Sequence, residues 1–439
     1  MLMKFLRSTG GRGISWTMIG FASSYAIRLL STLILTRLLE PEVFGLMSLA
    51  WVLLMALEMV CDVGTTPSVI RSPRGDNPEF LDTAWSIQAV RGVWVGAITL
   101  LLAWPVAWLY EEPALFPILS AVSVIPIIQG VASMSGAVCA RHMHLGRLTV
   151  LNLGTQLLTT LLNLLFAWWL QSVWALVLGS VLGTLLGVIA AYAWLPPYRP
   201  RLRFDRDVMA EIVSFGRWVL LATLFTYFGG QGSTAIMGFE VSVEVLGLIT
   251  IATTIAFALS DLIQRILGQV AFPIISRAYR EGQDFVGTVD RIKKLIFLLV
   301  LPGFVALSLL SQWIIDLLYD PRYALAGSFL SILALNGALG TLSMPYQNAM
   351  LAAGNSRGHA IVMGTSAAST VSLMLVGMHV FGVYGMIFGM GLGNGLLPLA
   401  VSAWFARREG ILRWRYDVVT VLGVLALYAY QLAALSAWS

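Results

Sequence analysis

Charge is what this sequence lacks. Of its 439 residues only 11% are Asp, Glu, Lys or Arg, against about 25% in an ordinary soluble domain. A chain of 47.8 kDa so poor in charge cannot cover its own surface with groups that water solvates, which excludes a soluble globule. Cysteine is nearly absent too. Cys61 and Cys139 both fall inside apolar runs, which excludes a disulfide framework and a thiolate metal site and leaves packing as their role. The four histidines, His142, His144, His359 and His379, offer no pair at metal-ligand spacing on a helix face, so no metal site is expected. Long polar segments are missing as well, and with them any loop large enough to gather an acid, a base and metal ligands. No catalytic residue and no cofactor is expected.

What is there is apolar. Hydrophobic residues make up 58% of the chain, with 41 Gly and 15 Trp, and the mean hydropathy is +0.83. Trp suits the membrane–water interface, and Gly is commoner in membrane helices than in soluble ones. A bilayer-crossing helix needs roughly 20 mostly apolar residues. Runs of that kind occupy 14–36, 44–70, 83–110, 114–140, 146–170 and 173–195, then 213–238, 245–270, 292–318, 324–352, 359–381 and 383–406, with a last one at 416–438. Lipid cannot satisfy an exposed backbone, and no strand alternation is present, so the runs are helices. The fold class is therefore an all-α polytopic membrane protein of about 13 transmembrane helices. Lys4, Arg7 and Arg12 ahead of Ile14–Thr36 have the look of a signal peptide, but the stretch is too long for a signal core and Arg28 interrupts it. It is read as the first span.

The net charge of +5 does not point to nucleic acid, because the basic residues form no stripe or face. They cluster between spans. With the N-terminus in the cytoplasm, twenty-one of the 27 fall inside: Lys4, Arg7 and Arg12, pairs such as Arg71/Arg74 and Arg141/Arg147, the group Arg199–Arg206, the group Arg277–Lys294, Arg357, and Arg407–Arg415. Only Arg37 and Arg322 fall outside. Such a bias over many short loops sets the orientation expected of a multi-pass protein of the bacterial inner membrane.

The chain also repeats itself. Shifted by 202 residues, Trp16 meets Trp218, Tyr25 meets Tyr227, Ser31-Thr32 meets Ser233-Thr234, and Glu42-Val43-Phe44-Gly45-Leu46 meets Glu244-Val245-Leu246-Gly247-Leu248. Shifted by 210, Gly154-Thr155 meets Gly364-Thr365, while Gly179 and Gly183 meet Gly389 and Gly393. Two pseudo-symmetric six-helix lobes inserted the same way round give this pattern. The expected layout is a first lobe over 1–200, a basic cytoplasmic linker over 201–212, a second lobe over 213–408, and an extra C-terminal transmembrane helix over 409–439. Small residues at every fourth position, Ala175/Gly179/Gly183/Gly187 and Gly385/Gly389/Gly393, read as close helix packing rather than as a nucleotide loop. Phe228-Gly229-Gly230-Gln231-Gly232 reads as a loosened helix. Ala271–Lys294 reads as an amphipathic helix on the inner leaflet.

With these features the chain resembles the polysaccharide-transporter family (Wzx-type oligosaccharide flippases) of the multidrug/oligosaccharidyl-lipid/polysaccharide exporter superfamily. The resemblance rests on the outer turn Leu38-Leu39-Glu40-Pro41-Glu42-Val43-Phe44-Gly45-Leu46 and on Thr83-Ala84-Trp85 with Arg91-Gly92. It rests also on Leu259-Ser260-Asp261-Leu262 and Phe272-Pro273-Ile274-Ile275-Ser276-Arg277, and it covers essentially the whole chain. Members are expected to have 12 or 14 spans, so a thirteenth departs from the pattern. The resemblance implies alternating access of two lobes about a cavity lined by spans 1, 2, 7 and 8. The implied substrate is an undecaprenyl-diphosphate-linked oligosaccharide, flipped outward for surface polysaccharide. Membrane lipid is an implied partner, and a polysaccharide polymerase and a chain-length regulator are candidate ones.

Ionisable residues inside spans mark function, since a charge at mid-bilayer costs at least ~2.5–3.5 kcal/mol. Six stand out: Arg28 in span 1, Glu58 and Asp62 in span 2, Arg91 in span 3, and Asp261 and Arg265 in span 8. Arg28, Arg91 and Arg265 are the candidate substrate contacts, because a guanidinium fork matches phosphate oxygens and keeps its charge. Glu58, Asp62 and Asp261 are candidate counter-charges or ion-coupling sites. The competing reading of Asp261 and Arg265, four residues apart, is a self-contained helical ion pair, and Arg91 and Arg265 are near enough to the cytoplasmic side to snorkel. The alternative functions are a lipid II flippase or a multidrug/cation antiporter of the same superfamily and, more distantly, an integral-membrane polysaccharide enzyme. A cation exporter needs acidic cavity residues and a diphosphate carrier cationic ones. The chain has both, with Arg28 deepest.

Overall fold

The computed structural model describes residues 9–142, 144–213, 232–266, 271–282, 284–408, 410 and 415–436. Every regular element among them is helical, as the apolar runs require. Among the described residues eight helices are long and apolar enough to cross a bilayer, and the bent pair Leu115–Gly130 and Ser135–Arg141, meeting at 57°, makes a ninth. Their outer surfaces carry bare apolar side chains such as Leu101, Trp104, Trp108, Leu161, Trp168 and Trp169. That surface suits hydrocarbon, with indoles toward its edges. The chain divides into two compact units, Met1–Tyr227 and Phe228–Ser439.

In the first unit Thr9–Leu38 runs beside Leu145–Leu170. Gln156 and Ser24 bind each other twice, the Ser24 hydroxyl donating to Oε1 at 2.5 Å and Nε2 donating to the Ser24 carbonyl at 2.9 Å. Pro41 opens the next helix, Pro41–Val60, with Glu42 in its first turn, where fixed φ and a negative charge both suit a helix start. Glu244 takes the same place in Val243–Ile266 of the second unit. The helix Pro78–Leu109 is capped by Asn77, whose side chain accepts from the Glu79 N–H at 3.1 Å, one of the donors a helix start leaves orphaned.

The basic segment after residue 195 does not hang free as a linker. The Tyr198 hydroxyl donates to Asp82 at 2.7 Å, and the backbone N–H groups of Arg201 and Arg203 donate to Asp82 and Ser86. Residues 206–213 are helical and bury Val208 and Ile212 with Val69, Phe80 and Ala84. The Thr83-Ala84-Trp85 motif therefore sits where this segment docks.

A second fastening closes the turn before Pro78. Arg141 donates from Nη1 to the carbonyls of Val69, Ile70 and Ser72 and from Nε to Asp76 at 2.9 Å. His142 lies 2.8 Å from the other Asp76 oxygen. These bonds, from His142 first and then Arg141, hold the Asp76 carboxyl below its ordinary pKa. A depressed carboxyl stabilises the fold above its unfolded pKa and stops doing so as pH falls through its lower folded value. The thermal midpoint of the native chain should therefore exceed that of Asp76→Asn at pH 6, with the gap closing on acidification. Asp76 and His142 are half exposed, so 1 M salt should shrink the gap.

In the second unit the 52-residue helical stretch Arg357–Arg408 is a hairpin. Phe381 leaves helical geometry and Gly382 adopts φ 61°, ψ −147°, a conformation open in practice only to glycine. The turn falls between the two runs expected at 359–381 and 383–406. Glycines hold the two arms together: a Cβ on Gly385 would collide with the Gly377 carbonyl, one on Gly389 with the Leu373 carbonyl, and one on Gly393 with the Thr370 Cα at 2.5 Å. In the first unit Gly179 lies on Asn163 and Gly183 on Thr159, between Trp174–Trp194 and Leu145–Leu170. Asn163 and Leu373 are themselves 210 residues apart, as are Gly179 and Gly389. The repeat read from the glycines is thus a repeat of packing, with the same small-residue contact made twice.

The C-terminal helix Arg415–Ser436 docks on Leu325–Leu342 through polar contacts as well as apolar ones. The Tyr428 hydroxyl donates to Asn336 Oδ1 at 2.5 Å and Gln431 to the Ser308 hydroxyl at 2.7 Å, and the Tyr428 and Phe388 rings meet edge to face, with centroids 4.8 Å apart. At the other end Lys293 Nζ reaches Asp417 Oδ2 at 2.6 Å, with side chains only 3% and 8% exposed. The Tyr346 hydroxyl donates to the same oxygen at 2.6 Å and also contacts Lys293. Lys293, read from sequence as a loop charge, is buried. Ala271–Lys294 resolves into Phe272–Arg280 and Phe285–Leu295, and the first turns Ile275 and Ala278 inward while Ile274 and Tyr279 stay exposed.

Candidate functional site

Three of the six ionisable candidates meet in the first unit, in a cavity of about 410 Å³ lined by Glu58, Asp62, Gln88 and Arg91 among others. A broken helix makes the meeting possible. The run expected as one span, 44–70, ends as a helix at Val60 and restarts as Thr65–Arg71. Gly64 at φ 67° turns the chain there, and Asp62 lies in the break rather than one turn along the helix from Glu58. Its Oδ1 accepts from the Gly64 N–H at 2.9 Å and from Arg91 Nη1 at 3.0 Å. Both side chains remain partly open, at 30% for Asp62 and 26% for Arg91.

Gln88, one turn before Arg91, steadies a second break. Its Nε2 donates to the carbonyls of Gln129, Gly130 and Ala132, where the expected span 114–140 breaks between Val124–Gly130 and Ser135–Arg141. Gly92 seats against Gly130, where a Cβ would lie 2.7 Å from the Gly130 Cα. So Arg91-Gly92 joins a charge to the close contact that positions it. Broken helices at membrane depth are tolerated where they line a cavity, and transporters place substrate sites at them.

The other candidates lie apart from this cluster. Arg28 is exposed on its helix and makes no ion pair among the described residues. Its carbonyl accepts from the hydroxyls of Ser31 and Thr32 at 2.9 and 2.8 Å. Asp261 lies in the second unit, half-buried at a different cavity. The Arg265 side chain lies outside the described residues, as do Trp218, Tyr227 and Phe228–Gln231 and most of the expected span 213–238. Among the described residues no group of three His, Cys, Asp or Glu stands ready for a metal.

The second unit holds a cavity that sequence reading missed. It measures about 490 Å³ and is lined by neutral polar and apolar side chains drawn from Gly232–Glu240, Val243–Ile266, Leu325–Leu342, Met344–Ala352 and the hairpin. No motif announces it, because its polar residues are mostly single Ser, Thr, Asn and Gln positions scattered over five helical segments. The only available signal was their presence in lipid-depth runs, where uncharged polar groups are already costly.

Helix breaks at cavities, a packing contact made twice and a lipid-facing surface define a polytopic membrane protein with a cavity in each unit. The fold agrees. It matches an inward-facing multidrug resistance MATE family transporter of the MOP superfamily with a TM-score of 0.67, 14% identity, and 92% of this chain and 96% of that one covered. It matches the lipid II flippase MurJ, in an inward closed conformation, with a TM-score of 0.72, 9% identity, and 96% and 98% covered. Among curated sequences the lipopolysaccharide biosynthesis protein WzxC of Escherichia coli (strain K12) is 18% identical over 352 residues, which are 79% of this chain and 70% of that protein. The family model described as polysaccharide biosynthesis protein matches residues 34–326. The chain belongs to that family.

Proposed function

We propose that this protein flips an undecaprenyl-diphosphate-linked oligosaccharide from the cytoplasmic to the periplasmic leaflet of the bacterial inner membrane, for exopolysaccharide or lipopolysaccharide assembly, by alternating access. The N-terminus lies in the cytoplasm, as the loop charges favour. The observation that carries the reading is the Arg91–Asp62 pair in an open cavity of the first unit. A lone arginine at that depth would be costly, and a lone carboxylate would suit a cationic cargo. A pair is neutral at rest and separable. An arriving diphosphate competes for the guanidinium fork, which it matches in geometry and exceeds in charge. Asp62, released, takes a proton or a cation, with Glu58 beside it. Arg28, exposed and unpaired among the described residues, offers a second fork, Arg265 a third, and Asp261 serves as counter-charge in the other half. An organic-cation antiporter fits less well, because Arg91 sits among the acids such a cargo would need.

The test is a flipping assay in reconstituted vesicles loaded with defined undecaprenyl-diphosphate oligosaccharides. The native chain should move them, and Arg28→Leu should be slower by about 10- to 100-fold, the weight of one or two charge-assisted hydrogen bonds, at equal amounts of protein in the membrane. Undiminished transport by Arg28→Leu rejects that residue's role. A native chain that moves no diphosphate-linked sugar rejects the function.

A further inference from the structure

Residues 196–205 form no helix, yet this strap is pinned along its length. The Ser135 hydroxyl donates to the Pro196 carbonyl at 2.8 Å, Tyr198 and the Arg201 N–H donate to Asp82, and the Arg203 N–H donates to the Ser86 hydroxyl at 2.9 Å. The larger side chains of the strap stay bare. Leu202 is 74% exposed and Phe204 55%, and Arg199, Arg201, Arg203 and Arg206 are exposed around them. Arg203 pairs with Glu79 at 2.8 Å. Arg199, Arg201 and Arg206 make no ion pair among the described residues. Of the two acids in the stretch, Asp205 spends Oδ1 on the N–H groups of Asp207 and Val208, and Asp207 is exposed.

The pinning fixes the depth of the strap. Pro78–Leu109 has 32 residues, about 48 Å of helix against roughly 30 Å of hydrocarbon, so its first turns stand among head groups. Ser86 lies about two turns in. The strap therefore runs beside this helix near the edge of the hydrocarbon rather than below it. Its other end leaves Trp174–Trp194 just after Trp194, an exposed indole of the kind that marks the membrane–water boundary.

A surface that is basic and apolar at once suits neither water nor hydrocarbon. At the boundary between them it suits both, because the apolar side chains enter the acyl region while guanidinium groups stay with the phosphates. A guanidinium fork also matches phosphate oxygens in geometry. Zwitterionic lipid brings no net charge to meet unpaired arginines, whereas acidic lipid does. A protein partner must bring both acid and an apolar pocket to the bilayer edge, and the leaflet already supplies both.

We infer that the strap is a docking site for acidic phospholipid of the leaflet it borders. Arg199, Arg201 and Arg206 hold the phosphates, and Leu202 and Phe204 insert between acyl chains. The inference goes beyond the proposed function and does not depend on which cargo the protein moves.

The test uses the full chain in nanodiscs, with Cys61 and Cys139 replaced by alanine and an environment-sensitive fluorophore on Leu202→Cys or, separately, on Phe204→Cys. Quenching by lipid spin-labelled on its acyl chain reports insertion. In nanodiscs rich in phosphatidylglycerol both positions should be quenched, and in pure phosphatidylcholine much less. Arg199→Gln and Arg201→Gln should each lower the ratio of inserted to water-exposed fluorophore about fivefold, the weight of one arginine at an acidic surface. The thermal midpoint in detergent should hold, since neither side chain has an ion pair to lose. Equal quenching in the two lipids, or insertion that resists both glutamine variants, overturns the acidic-lipid site. A fluorophore that stays in water at both positions and in both lipids overturns it in favour of a segment that faces water or another protein.

Discussion

Replacing Lys293 with methionine should lower the stability of the second unit by about 3–5 kcal/mol, the usual cost of stranding one member of a buried ion pair. Asp417 would keep only the Tyr346 hydroxyl, and its Oδ1 is already buried without a partner. Asp417→Leu should cost a comparable amount by stranding the ammonium. The double variant Lys293→Met/Asp417→Leu should recover most of the loss, because two apolar side chains of similar volume replace the pair without leaving a charge behind. Thermal and denaturant unfolding in detergent read all three. A double variant no more stable than either single one would show that the charges are not coupled. Limited proteolysis adds a local reading, since the pair ties Arg415–Ser436 to Phe285–Leu295: the single variants should release the C-terminal helix before the unit melts.

This pair also shows where the sequence stops being legible. Lys293 sits in a basic cluster with Arg291 and Lys294, and loop charges of that kind set orientation and are solvated. Nothing local distinguishes the one of the three that turns inward. Its partner is 124 residues away at the start of the last helix. Hydropathy sums over a window respond to composition, and a single Lys–Asp contact between helices changes neither window. The breaks at Cys61–Gly64 and Val131–Met134 escaped for the same reason. Both fall within apolar runs whose totals satisfy a continuous span, and what breaks them is backbone geometry, with Gly64 at positive φ and the carbonyls after Gln129 met by Gln88.

What did show in the sequence was periodic. Glycines four residues apart specify a face, and a face of glycine specifies backbone contact. The close-packed arms and their recurrence after 210 residues follow from that, while the helical class follows from the long apolar runs. The charged candidates were found because a charge at lipid depth is conspicuous. The neutral cavity stayed hidden because serine and threonine in a membrane helix usually bond their own preceding turn, as Thr250, Thr253 and Thr254 do. Thr370 and Ser260 do not.

The glycine register yields the second large effect, and one substitution made at four positions tests it. Gly389→Ala places a Cβ against the Leu373 carbonyl. Backbone cannot swing aside as a side-chain end can, so the arms of the hairpin must part, at about 1–3 kcal/mol. Gly389→Leu should exceed that range and leave little folded protein. Gly179→Ala, its counterpart in the first unit, meets the Asn163 side chain first and the Asn163 Cα at 3.0 Å. A rotation of that side chain relieves part of the clash, so its cost should be smaller. Gly364→Ala and Gly154→Ala have nothing within 4 Å of the new Cβ and lie within helices. There the methyl only restricts the unfolded chain and suits the helix, and each should gain about 0.5–1 kcal/mol. The expected order is Gly389, then Gly179, then a gain at the two open sites, read as unfolding midpoints of four otherwise identical chains. Equal losses at all four would mean that the glycines matter as loosened helix rather than as contact, and the repeated packing would lose its physical basis.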